Sequence, residues 1–149
     1  MCLKGISALS NPADQIDSTS LADEAERMLA ALADQYLTWL EKDLERYSEA
    51  LETIKAHPED QAESVQQIFS ISHNIKGQGA AFGYQFVTDV AELAANKTRN
   101  EKTAPPDVLA LLELCLGALK LVVEEDIRGD GGPTGQEILL RLQALSVAA

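Results

Sequence analysis

An all-α fold is predicted from three observations. Apolar residues recur at alternating intervals of three and four through most of the chain. No stretch sustains the period-two alternation of a half-buried strand. Neither glycine nor proline interrupts residues 13–57, while short Gly- or Pro-containing segments separate the periodic stretches beyond them. Short connections between amphipathic helices favour antiparallel neighbours in a bundle. With 149 residues the chain fits one domain with room for a core. The expected organisation is a flexible leader over residues 1–18 and a single helical bundle over 19–149. Its core runs over about 35–128, and an extra helix covers about 134–147.

The elements follow in order. Asn11-Pro12 marks a turn in the leader. From Ser20, Leu21, Ala25, Met28 and Leu32 set a helical pattern, and Leu37, Leu40, Leu44, Tyr47, Leu51 and Ile54 continue it. A phase slip near Asp34 leaves open one long helix or two. His57-Pro58-Glu59-Asp60 closes this stretch and opens the next, since proline and acids suit a helix N-terminus. Val65, Ile68, Ile71, Ile75 and Phe82 form the second stripe, which Gly83 breaks or ends. Phe86, Val87, Val90, Leu93 and Ala94 form a third. A loop then carries Thr103, a candidate cap, before Pro105-Pro106, and Val108–Val123 reads as the best-buried helix. After the turn "RGDGGP", Thr134 and Glu137 match a capping box, followed by Ile138, Leu139, Leu142 and Leu145 on one face.

Composition narrows the function. A formal net charge of −12 opposes binding to nucleic acid and to anionic membrane, so a partner must be basic or must dock on a local patch. No apolar stretch approaches the roughly 20 residues of a membrane span, and the N-terminus has no signal-peptide core. Two cysteines, Cys2 and Cys115, do not make a disulfide framework. These features predict a cytoplasmic protein. His57 and His73, the only histidines, lie on different elements without zinc-ligand spacing. No G-x-S-x-G and no phosphate loop ending in Gly-Lys-Ser/Thr is present, so neither a serine hydrolase nor an ATP site is supported. "DIRGDGG" lacks the spacing and final glutamate of a calcium loop.

The segment "HNIKGQGAAFG", His73 to Gly83, stands out because glycine costs about 1 kcal/mol relative to alanine inside a helix. At about 100° per residue, His73 falls nearly opposite Ile68, Ile71, Ile75 and Phe82, and so faces solvent. Phe69 precedes it by one turn, and Lys76, Gly77 and Ala80 follow on its side. Gly77 clears the space beside the imidazole, and Lys76 offers a positive charge one turn away. Gly79 permits close approach of another helix, and Gly83 suits a turn. Spacing alone fits equally a solvated histidine beside unrelated glycines. His57, next to Pro58, reads as a helix-boundary residue.

At this motif the sequence resembles the histidine phosphotransfer (HPt) family. The pattern is His73, Ile75, Lys76, Gly77 and Gly83, and "HNIKGQGAAFGY" looks especially like the phosphotransfer domain of CheA-type chemotaxis kinases. The resemblance covers about residues 35–145. It implies an antiparallel four-helix bundle with an additional C-terminal helix and, here, an N-terminal helical extension. It also implies a phosphoryl group carried on the imidazole nitrogen of His73 farther from the backbone, stabilised by Lys76 and admitted past Gly77.

The partners it implies are a response-regulator receiver domain, docking on Phe69, Gln66, Ser70 and Ala80, and a sensor or hybrid histidine kinase. The protein needs no cofactor of its own, and Mg2+ is expected on the receiver. The resemblance implies a phosphoryl carrier with no ATP-binding site, not a stand-alone kinase. One departure is plain: Glu92 and Ala95 occupy the positions where CheA-like domains carry a histidine and a glutamate around the phosphorylated residue. The competing expectation is a phosphorylation-independent helical adaptor or docking module.

Overall fold

The structure is a computed structural model that describes the backbone of residues 2–149 and the side chains of residues 20–149. Five α-helices follow one another: α1 (Cys2–Ala56), α2 (Ala62–Gly79), α3 (Gln85–Thr98), α4 (Pro106–Glu125) and α5 (Gly132–Ala148). A single 3-10 turn, Ala80–Phe82, lies between α2 and α3. Among the described residues there is no strand. None of the described helices is long and apolar enough to cross a membrane. The turn expected at Asn11-Pro12 is not formed, since both residues lie within α1, while the side chains of the expected leader, residues 1–18, lie outside those described.

The chain divides into two units, residues 1–35 and 36–149. In the first, the described side chains from Ser20 onward are exposed, apart from Ala33. Leu21, Met28, Leu29 and Leu32 are among the exposed large hydrophobic residues. Their periodicity marks a helix correctly.

In the second unit the α1 stripe is buried: Tyr36, Leu40, Leu44, Tyr47, Leu51 and Ile54 are each at most 2 % exposed. Tyr36 takes the first core position, and Leu37 is only half-buried. Val65, Ile68, Ile71 and Ile75 meet this stripe from α2. The two helices run antiparallel: Tyr36 stacks on Phe82 at one end, and Thr53 and Gln67 line a common cleft toward the other. Phe86, Val87, Val90 and Ala94 of α3 and Val108, Leu111, Leu112, Leu119 and Val122 of α4 complete the core. Each such aliphatic side chain stabilises the fold by about 1.5–3 kcal/mol when fully buried.

Polar groups inside the core are few. The Tyr47 hydroxyl donates to the Leu112 carbonyl at 2.8 Å, tying α1 to α4. Burial pushes that phenol well above its ordinary value. The Cys115 thiol, buried among the same side chains, is pushed up to about 12 and stays protonated.

Two turns are joined by main-chain hydrogen bonds. Gly83, at φ +88°, ends the 3-10 turn in the left-handed region, which glycine enters without a Cβ penalty. Its carbonyl accepts from Gly129 N at 2.7 Å, and the Gly129 carbonyl accepts from Phe86 N at 2.8 Å. The α2–α3 and α4–α5 turns are thus laced together, and Phe86 fills the space beside Gly131 and Gly135 at the start of α5.

Helix starts differ from expectation at two places. Thr134 is not the cap of α5, because Gly131 and Gly132, both at positive φ, let the helix begin before it. Asp130 instead accepts from Gly132 N at 2.9 Å. Thr103 is not the cap of α4, whose N-cap position is Pro105. On α5 only Leu139 and Leu142 of the expected face are buried, while Leu145 is exposed.

Candidate functional site

α2 presents His73 because its two sides differ in kind. Ile68, Ile71, Ile75 and Gly79 are buried, whereas His73, Asn74, Gly77 and Gln78 are exposed. A Cβ added at Gly77 meets nothing within 4 Å, so the flank of the imidazole toward the helix C-terminus is open. At Gly79 the reverse holds. A Cβ there would lie 2.6 Å from Thr88 Oγ1 and 3.0 Å from both Thr88 N and the Tyr84 carbonyl oxygen.

That close approach sets α3 against α2. Thr88 Oγ1 donates to the Lys76 carbonyl at 2.9 Å and accepts from Ala80 N at 2.8 Å. One hydroxyl thereby satisfies two main-chain groups near the end of α2, where helices leave carbonyls unpaired. From this point the antiparallel register runs back along α2. Glu92 stands against Lys76, with Oε1 3.4 Å from Nζ. Arg99, just past the end of α3, lies with its guanidinium carbon 5.4 Å from the centre of the Phe69 ring. Between these two pairs the same register brings Ala95, fully buried, to the level of His73.

His73 itself stacks on Phe69, with ring centroids 5.7 Å apart and planes inclined by 22°. Phe69 is half-buried, neither bare nor in the core, and its ring is covered by His73 and Arg99. Of the other residues expected around the site, Ser70 and Ala80 are exposed. Gln66 is exposed too, but its amide nitrogen donates to the carbonyls of Thr98 at 3.2 Å and Glu101 at 2.6 Å, bracing α2 to the end of α3. His57 lies at the far end of α1, with Nδ1 3.4 Å from a Glu59 carboxylate oxygen.

Two members of this site, Arg99 and Thr88, are not visible in the motif around His73. Their signal lies in register: Thr88, Glu92 and Arg99 recur at helical spacing along α3 and meet Gly79, Lys76 and Phe69 in reverse order. The surface so formed bears two cations, Lys76 and Arg99, and one anion, Glu92, in a chain of net charge −12. It therefore differs locally from the average charge of the molecule.

The stretch that holds this solvent-facing histidine, on the second helix of an antiparallel bundle, falls within the range of a known family model. The model of the Hpt domain matches residues 31–121, well over half of the chain. The chain belongs to the Hpt domain family. Its role is accordingly histidine phosphotransfer within phosphorelays, in which Hpt domains interact with receiver domains and histidine kinases. The Hpt match takes in the second half of α1, all of α2 and α3 and most of α4, and ends before α5. No curated protein and no solved structure matches the chain.

Proposed function

We propose that this Hpt domain accepts a phosphoryl group on His73 from a receiver-domain aspartate and returns it to another, with a sensor or hybrid kinase upstream. The observation that carries the reading is the exposure of His73 on the face opposite the α2 core, with no side chain beside it at Gly77. The neutral imidazole has a free lone pair at Nε2, which attacks the phosphorus of the aspartyl phosphate in line. The bond from phosphorus to the carboxylate oxygen breaks, the carboxylate leaves with its electron pair, and a P–N bond forms. The reverse step regenerates imidazole and aspartyl phosphate.

Each neighbour then has a task. Phe69 limits the rotation of the imidazole through their stacked rings. Lys76 offsets negative charge on the transferring oxygens. Gly77 admits the receiver, and Phe69, Ser70 and Ala80 form the surface on which it seats, with Gln66 holding the edge of that surface in place. Mg2+, bound by the receiver, supplies the remaining charge neutralisation. The domain is a carrier that works in the cytoplasm and draws no phosphate from ATP itself.

The test is transfer from a phosphorylated receiver domain to the wild-type chain and to His73→Gln. The wild type should gain an acid-labile, base-stable label. The variant should lose it to background while its stability changes by only about 0.5 kcal/mol, as for an exposed position. A folded His73→Gln that still takes up label overturns the assignment, and an unlabelled wild type leaves the bundle an adaptor.

A further inference from the structure

We propose that Glu92 is a built-in competitor for Lys76, and that it shortens the life of the phosphorylated state and biases the domain toward giving its phosphoryl group away. The inference rests on the assignment of His73 as the phosphoryl carrier and deepens it.

Lys76 stands one turn beyond His73 and already has an anionic partner, because Glu92 Oε1 lies 3.4 Å from its ammonium. The pair is only partly shielded, with the Lys76 side chain 32 % exposed and that of Glu92 47 %. Both helices are fixed where they meet it. The Lys76 carbonyl is held by Thr88, one turn before Glu92 on α3, and Gly79 sets the spacing of the two backbones. Glu92 therefore does not face Lys76 as a loose surface residue. The register of α2 against α3 places it there.

A phosphoryl group on His73 brings a dianion to the same face. To be stabilised by Lys76 it must draw the ammonium away from Glu92, or share it. In either case Glu92 loses some of its pairing, and that loss raises the energy of the phosphorylated state relative to the free one. At the level of His73 itself, α3 offers Ala95, which has no polar group with which to offset this. A domain with a neutral residue at 92 would hold phosphate longer, and Glu92 makes this one a faster donor. The coupling acts through Lys76, so Glu92 is a positioning residue.

The experiment uses the full chain and a small phosphodonor, phosphoramidate, so that no partner surface enters. The imidazole nitrogen attacks phosphorus, the P–N bond to ammonia breaks, and ammonia leaves with the proton released by the ring. Decay of the phosphohistidine signal is then followed by 31P NMR after the donor is removed. Glu92→Gln should lengthen the lifetime by about three- to fivefold, the scale of one surface ion pair. Lys76→Ala should shorten it, and Glu92→Gln added to Lys76→Ala should have no further effect.

Equal lifetimes in wild type and Glu92→Gln overturn the proposal. A gain that persists without Lys76 overturns it too, since Glu92 would then act by direct repulsion. These results leave the role of His73 standing. A signal that survives His73→Gln removes the carrier assignment, and this proposal with it. A melting temperature for Glu92→Gln equal to that of the wild type separates the effect on lifetime from any loss of structure.

Discussion

Two glycines stand two residues apart on α2 and serve opposite flanks of the same helix. On the inner flank, Gly79 lies where Thr88 and the Tyr84 carbonyl leave no room for a Cβ. On the outer flank, Gly77 faces open space. Both sacrifice helix propensity, by about 1 kcal/mol each relative to alanine. The inner one regains it in the approach of α3 and the two hydrogen bonds made by Thr88. The outer one gains nothing in the isolated chain. The inner flank is shaped for packing, and the unreturned cost on the outer flank supports the proposal that a receiver approaches there.

Substitutions at three positions sharpen this contrast. Gly79→Ala should have the largest effect. Overpacking against main-chain atoms costs about 1–3 kcal/mol, and the propensity gained offsets only part of it. Thermal or urea denaturation should show a clear loss of stability, and an unchanged midpoint would mean that α3 can retreat freely. Phe69→Ala is intermediate. A half-buried ring should cost about 1–2 kcal/mol, less than the 3–5 kcal/mol of a fully buried one. The His73 imidazole protons should also lose their ring-current shift in NMR spectra. A full core-sized loss would place Phe69 with the inner flank. Gly77→Ala should have the smallest effect and the opposite sign, a gain of about 0.5–1 kcal/mol. A bulkier Gly77→Leu should slow phosphoryl transfer from a receiver while the fold stays intact. Wild-type transfer rates in that variant would remove the argument from clearance.

How far these features were legible in the sequence follows from how local they are. The faces of α2 needed only helical periodicity, and Ile68, Ile71 and Ile75 are buried opposite an exposed His73 as projected. Gly83 likewise sits in a left-handed turn, a demand that one residue reveals. The residues facing His73 from α3 were less accessible. Whether Glu92 meets Lys76 depends on the register of two helices, which the geometry of the Gly83–Tyr84 turn and the depth of the Gly79 contact determine. No single-helix pattern encodes it. The capping-box pattern of Thr134 and Glu137 points to a later start for α5 than the true one, because the positive φ of Gly131 and Gly132 lets the helix begin ahead of it. In α1, Leu32 and Leu40 carry the same periodic signal, yet Leu32 is 39 % exposed and Leu40 only 1 %. Periodicity identifies a face and is silent on whether anything covers it.

The hydrogen bonds between Gly83, Gly129 and Phe86 have a consequence for how the molecule opens. Each turn supplies both a donor and an acceptor to the other, so neither can fray while the other stays closed. Amide protons of Gly129 and Phe86 should therefore exchange with solvent at a common rate, as parts of one cooperative unit. The α4–α5 turn, which the match to the family does not reach, is thereby coupled to the opening of the turn that follows the C-terminal end of α2.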